Sequence, residues 1–247
     1  MNEFSGVSII TGAVTETDSL RRTVEFVLEN CNHNDLAEII IGYPERATAE
    51  CVAVIRELEA MQSDVRIWGF KQTMPSIGFL IEAFEFAKGS HIITVDSDMA
   101  LDLELIPQMI EGAKKEPDTI FSASRWLGGN KFEGYNKFKW VLNFTAQKFL
   151  AVLYQSKLTD FTIPFQIVSA DLLRSINFEE TSFALFMELV LKPVRLGCKI
   201  TELPSDCRER TQGKSSNSFA QIPIYLKTAL HIRFMKKDNI LKNGCQK

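Results

Sequence analysis

Residues 91–102 read HIITVDSDMALD, and the reading of this stretch decides the fold. The run His91-Ile92-Ile93-Thr94-Val95 is dense in β-branched side chains, follows Lys88-Gly89-Ser90 and gives way at once to acids. Strands covered on both faces read as continuous apolar runs, so this pattern predicts a buried strand of a mostly parallel sheet. Asp96 and Asp98 stand at i and i+2, and in an extended chain both carboxylates project to the same side. Open α/β sheets bind ligands beyond the carboxyl ends of their strands, where such a pair would share one cavity. Two anions held that close call for neutralisation, and a divalent cation supplies it; the plainer alternative is an acidic loop closing a core strand.

Working outward, Val7-Ser8-Ile9-Ile10-Thr11, residues 37–42, Val65-Arg66-Ile67-Trp68 and residues 119–123 predict further strands. Between them lie helical patterns. Asp18 is placed to cap a helix over 19–31 that turns Leu20, Val24, Val27 and Leu28 to one face. A second, over 47–61, turns Cys51, Val54, Ile55 and Leu58 inward. Others span about 76–87 and 105–113, with Pro107 in the first turn of the latter. Strands alternating with amphipathic helices predict βαβ units and a three-layer α/β/α sandwich. No Gly-x-Gly-x-x-Gly follows the first strand, which removes the dinucleotide fingerprint. Gly213-Lys214-Ser215 lacks the earlier glycine and the preceding apolar strand of a phosphate loop, so an NTPase is rejected too.

After Arg125 the pattern changes. Trp126-Leu127-Gly128-Gly129-Asn130 predicts a flexible loop, and residues 135–155 a helix with Trp140, Phe144 and Phe149 beside Lys139 and Lys148. Residues 159–169 read as loop and short strand, 181–196 as a helix and 199–203 as a last strand. The tail over 219–235 reads as helical once past Pro223 and ends in Lys236-Lys237, which suits either a docking surface or an interfacial helix. Most of the 18 phenylalanines lie in this second half, fitting contact with a lipid-like partner or another subunit.

A formal charge of −3 with no sustained basic stripe argues against nucleic acid as a partner. The five cysteines are scattered and odd in number, which predicts a reducing compartment rather than a disulfide framework. Neither a signal peptide nor an apolar run of spanning length is evident. His33, His91 and His231 form no metal-ligand spacing and read as surface or strand-flanking residues. Ser169, Ser175 and Ser182 lack the Gly-x-Ser-x-Gly setting of a serine hydrolase.

Over residues 5–216 the chain resembles a family 2 glycosyltransferase of the GT-A fold, in the branch that transfers sugars to polyprenyl phosphates. The motifs fall in the family's order: Glu16 after the first strand, with Thr15 at an asparagine position; Asp96 and Asp98; Ser124-Arg125 after the fifth strand. Then come Asp160, Thr162 and Phe165; Glu188 in a helix; Gly197, Ile200, Glu202 and Pro204; and Arg210, Gly213 and Ser215. There are departures as well. Gly42-Tyr43-Pro44-Glu45 replaces the family's Asp-Asp-Gly-Ser, Ala100 stands for a glutamine, Pro164 for a glycine, and Ser216 for the final lysine, with Lys214 nearby.

The resemblance implies a nucleotide-sugar-binding half over 1–125, an acceptor-binding half over 126–218 and a helical tail over 219–247. It implies a nucleotide diphosphate sugar donor, held by Thr11, Glu16, Asp96 and Asp98 and by Arg208, Arg210 and Lys214, with Mg²⁺ or Mn²⁺ on Asp96 and Asp98. Arg125, Asp160 and Glu188 become the catalytic candidates. An alcohol acceptor needs a carboxylate to take its proton, whereas a phosphate acceptor does not. The implied enzyme is inverting, cytoplasmic and peripheral at the inner membrane face, and its acceptor is a polyprenyl phosphate or a glycan hydroxyl. A sugar nucleotidyltransferase and a degenerate sugar-nucleotide-binding scaffold are the rivals. The first wants a basic glycine-rich loop that Thr11-Gly12-Ala13-Val14 lacks; the second draws support from the missing acid after the second strand.

Overall fold

The computed structural model describes residues 3–128, 132, 137–208 and 221–242. Seven strands build one sheet: β1 (Val7–Gly12), β2 (Leu36–Tyr43), β3 (Arg66–Lys71), β4 (His91–Thr94), β5 (Ile120–Ser124), β6 (Gln166–Ser169) and β7 (Ile200–Pro204). Their order across the sheet is β3-β2-β1-β4-β6-β5-β7. Pairing is parallel except at β6, which runs antiparallel to both β4 and β5. The carboxyl ends of β1, β2, β4, β5 and β7 therefore share one rim, and the chain entering β6 must come down from that rim.

The alternation of side chains along each strand sends neighbours to opposite faces. Ile9, Ile39, Ile41 and Ile93 point into a core covered by α1 (Asp18–Asn30), α2 (Ala49–Glu59) and α4 (Leu105–Lys115). Ile10, Ile40, Ile92 and Val168 point the other way, under α3 (Phe79–Phe86), α6 (Ala170–Ser175) and α7 (Leu185–Leu196). This is the three-layer GT-A arrangement expected from the sequence. A third cluster joins α5 (Lys137–Tyr154), α7 and α8 (Ile222–Phe234) through Leu150, Tyr154, Met187, Leu191, Ala229 and Ile232. The Tyr154 hydroxyl donates to the Ala229 carbonyl at 2.7 Å, pinning α5 to α8. Among the described residues no helix is long and apolar enough to cross a membrane.

Three local expectations change. Thr17, not Asp18, is the cap of α1, and Asp18 becomes its first residue, where a negative charge suits the helix N-terminus. α8 begins before Pro223, which sits in the first turn where its missing N–H costs nothing. His91, read as surface or strand-flanking, narrows to the second: it opens β4, fully buried, with Nε2 2.8 Å from the Pro117 carbonyl and the Phe4 ring beside it. Burial lowers its pKa below the usual imidazole value, so it serves the foot of the sheet as a neutral group.

Candidate active site

At the end of β4 the chain turns sharply. Asp98 is almost fully buried, and its Oδ1 accepts the Ala100 N–H at 3.0 Å; Met99 between them adopts φ 59°. Between the two acids, Ser97 donates from Oγ to the Gly12 carbonyl at 2.6 Å, tying this turn to the end of β1. Asp96 is half-buried on the same rim. The loop that follows β1 is held by Glu16, whose carboxylate accepts from Val14 N (2.7 Å) and Thr15 N (2.9 Å). Thr11 lies buried at the end of β1, its hydroxyl without a hydrogen-bond partner among the described residues.

Within the departing stretch, Gly42 near the end of β2 meets a close ring contact. The Phe79 ring lies over both Gly12 and Gly42, and a Cβ at either position would come within 2.4 Å of it. An acid at position 42 has no room while Phe79 is there. Glu45 in the same loop pairs with Lys71.

On the β5 side of the rim, Arg125 and Asp160 form a bidentate pair. Nε reaches Oδ2 at 2.7 Å and Nη2 reaches Oδ1 at 2.9 Å, with Nη2 also 2.9 Å from the Thr162 hydroxyl. The Asp160 side chain is 0% exposed and that of Arg125 17%. Gln147 of α5, buried, donates to Thr162 Oγ1 and accepts from Phe161 N. Glu202 of β7 fixes the same peptide from below, accepting from the backbone of Thr159 and Asp160 at 2.9 Å. Burial pushes the Glu202 carboxyl up, against those hydrogen bonds.

Glu188, one turn into α7, is 1% exposed and accepts from Lys192 Nζ at 2.6 Å. It also takes the backbone N–H groups of Glu179 (3.0 Å) and Glu180 (2.9 Å). Burial raises its pKa above the ordinary carboxylate value, while Lys192 and the two N–H groups oppose that shift.

Arg208 comes to the rim from the far edge of the sheet. After β7 the chain crosses back, so that Cys207 bridges Leu101 and Arg208 Nη2 meets Asp102 Oδ1 at 2.6 Å. Arg210 and Lys214 lie outside the described residues. The Asp96–Asp98 turn is thus tied to the end of β1 through Ser97 and to Arg208 through Ala100, while Arg125 and Asp160 pair with each other after β5 and Glu188 sits inside α7 beside Lys192. The sequence reading left out Asp102 and Gln147. A lone glutamine inside the apolar α5 was a usable signal for Gln147; Asp102 carried none, since its partner is more than a hundred residues away.

Among the described residues no group of three or more His, Cys, Asp or Glu side chains forms a complete metal cage. Asp96 and Asp98 are nonetheless hard oxygen donors, the kind that bind Mg²⁺ through one or two carboxylates plus substrate phosphates and water.

A mostly parallel sheet covered by helices on both faces, with two acids in the turn after a central strand, defines a three-layer α/β protein of the GT-A kind. More particularly, residues 8–177 match the model of glycosyl transferase family 2, and the chain belongs to that family. It is 21% identical over 205 residues to Glycosyltransferase AglD of Haloferax volcanii, covering 81% of this chain and 32% of the relative. It is 25% identical over 130 residues to an undecaprenyl-phosphate mannosyltransferase of Micrococcus luteus, covering 51% of this chain and 53% of that one. The chain thus spans only part of the length of these curated relatives. Its fold superposes on glucosyl-3-phosphoglycerate synthase from Mycobacterium tuberculosis, solved with Mn²⁺, uridine diphosphate and phosphoglyceric acid, at a TM-score of 0.68 and 14% identity. That match covers 94% of this chain and 80% of the synthase.

Proposed function

We propose that this chain is a metal-dependent, inverting glycosyltransferase that moves a hexose from a nucleotide diphosphate sugar to a polyprenyl phosphate at a membrane surface. The observation that carries the donor half is the Asp96-Ser97-Asp98 turn at the rim of a family 2 sheet. A divalent cation on these acids would act as a Lewis acid toward the departing diphosphate. Thr11 and the Glu16-braced loop would line the nucleotide, and Arg208 would add a cationic contact to its phosphates. The synthase with a similar fold was solved with Mn²⁺ and a uridine nucleotide, which agrees with this reading.

The acceptor half rests on the two carboxylates. Asp160 is clasped by Arg125, and Glu188 is buried against Lys192. Both carboxylates are already engaged by cationic partners inside the protein, and a phosphate nucleophile, already anionic, needs no base. Both acids then orient their neighbours. A lipid-borne acceptor also fits α5 and α8, which expose Phe138, Val141, Phe149, Val152, Leu226 and Phe234. The name of the Micrococcus luteus relative points the same way.

The test is a screen of nucleotide sugars with purified protein, with and without Mn²⁺ or Mg²⁺, against a polyprenyl phosphate and a free glycan. Metal-dependent transfer to the lipid phosphate is expected. Transfer to the glycan alone would overturn the acceptor reading, and donor binding without turnover on any acceptor would make the chain a scaffold.

A further inference from the structure

The crossing of the segment after β7 over the segment after β4 has a single side chain at its centre. Asp102 N donates to Ser205 Oγ at 3.3 Å, Asp102 Oδ2 accepts Asp206 N at 3.0 Å, and Oδ1 forms an ion pair with Arg208 Nη2 at 2.6 Å. Ala100 completes the link: its N–H goes to Asp98 Oδ1 and its carbonyl accepts Arg208 N at 2.9 Å. One residue's peptide groups therefore connect Asp98 to the backbone of Arg208.

We infer that Asp102 is a positioning residue that holds the Arg208 guanidinium beside the Asp96–Asp98 pair, ready for the diphosphate of the donor. This rests on the reading of the rim as a nucleotide-sugar site. The Arg208 side chain is 56% exposed, so packing alone does not select its rotamer, whereas Asp102 is 21% exposed and braced by a backbone N–H. Arginine carries five N–H donors in a rigid fork. Asp102 meets this fork at Nη2 alone, and phosphate oxygens prefer the planar, charge-assisted contacts that the other donors offer. Ordering a long side chain is a cost of binding, and Asp102 meets that cost before the ligand arrives. The acid lowers the local positive potential somewhat, so the alternative is a latch in which Asp102 competes with phosphate for Arg208. The two differ in sign. Positioning makes loss of the Asp102 charge weaken binding; competition makes it strengthen binding. The brace on Oδ2 favours positioning, because a carboxylate fixed to the chain cannot withdraw with the arginine.

Calorimetric titration of uridine diphosphate and guanosine diphosphate with Mn²⁺ into the full chain tests this without turnover. For whichever nucleotide the wild type binds, Asp102→Asn should weaken affinity roughly three- to tenfold, the ordering cost of one side chain. Arg208→Ala should weaken it at least as much, and the double variant should be no weaker than Arg208→Ala alone. Asp102→Glu should recover part of the loss. In steady state the donor KM should rise while kcat stays near wild type. Unchanged or tighter binding by Asp102→Asn overturns the inference, as does an equal loss in the Arg208→Ala background. Should Asp102→Asn fail to fold, Asp102→Glu against Arg208→Lys carries the same coupling test. A wild type that binds neither nucleotide would overturn the proposed function and this inference with it; binding without coupling would overturn this inference alone.

Discussion

The rim and the α5–α8 surface solve opposite problems. On the rim, charges come in matched sets: Arg125 with Asp160, Asp102 with Arg208, and Glu16 and Glu202 with backbone N–H groups. On the other surface, residues 137–154 and 222–234 contain no Asp or Glu at all, while Lys137, Lys139, Lys148, Lys227 and Arg233 stand among exposed apolar side chains. A site for a small, polar ligand needs each group fixed beforehand, so the protein supplies the partners itself. On the proposed reading the second surface meets an anionic membrane, for which the right sign of charge and enough apolar area suffice.

The sharpest way to break this contrast is at Asp98, the buried acid in the turn after β4. Asp98→Asn keeps the shape and the turn to Ala100 but removes the charge. A turnover loss of about a thousandfold, about 4 kcal/mol of transition-state stabilisation, is expected. Undiminished turnover by folded Asp98→Asn would mean that the rim is not the reacting site. Next in size is the Arg125–Asp160 pair. Asp160→Asn leaves a mostly buried guanidinium without its counter-charge, and stability to urea should fall by about 3 kcal/mol. A paired replacement, Arg125→Met with Asp160→Asn, should recover much of that loss. If Asp160→Asn unfolds at the wild-type urea midpoint, the pair is an ordinary solvated one and the rim is less preorganised than described.

These long-range pairs also mark where sequence reading stopped. β1, β2, β4 and β5 were legible because dense β-branched runs such as Ile39-Ile40-Ile41 have one cheap fate, burial on both faces. The Asp96–Asp98 turn was legible because it directly ends such a run. β6 was legible only as a short strand within 159–169: Gln166-Ile167-Val168-Ser169 is four residues, and its fit between β4 and β5 sets its antiparallel direction. α6, six residues long, is defined by its Ser169 cap and by packing on α3, not by periodicity. The partner of Asp102 is set by the path of the chain after β7, which no local pattern encodes. Gly42 reads as a missing acid in sequence, yet the ring it meets belongs to Phe79, thirty-seven residues on.

The packed half offers a smaller test through pH. Cys31 and Cys51 lie buried in the core under α1 and α2, and burial pushes each thiol from 9.0 up to about 11. The folded state holds these protons more tightly than the unfolded chain does. Their contribution to stability is therefore fully present below about pH 9 and is lost as pH rises through about 11. At pH 7.5 a thiol reagent should leave both unmodified in the native protein and react with both once urea unfolds it. Native-state labelling at neutral pH, read by peptide mass, would show that this half opens far more readily than its packing implies.

The smallest expected effect sharpens the other side of the comparison. Phe234 is 76% exposed at the end of α8, next to Lys236 and Lys237. Replacing it with Ser removes little that the folded chain uses, so the melting temperature should stay within about 2 °C of wild type. Partial burial of one phenylalanine in a lipid interface is nevertheless worth about 1 kcal/mol, so vesicle affinity should drop about fivefold. Lys236→Gln with Lys237→Gln should cost about 1 kcal/mol per charge at low salt. That second loss should fade as added salt shortens the screening length, while the Phe234→Ser loss should not. Flotation with vesicles containing anionic lipid reads both. If the wild type ignores such vesicles at low salt, the lysines and exposed rings of this surface have some other partner, and the case for a lipid-borne acceptor loses its independent support.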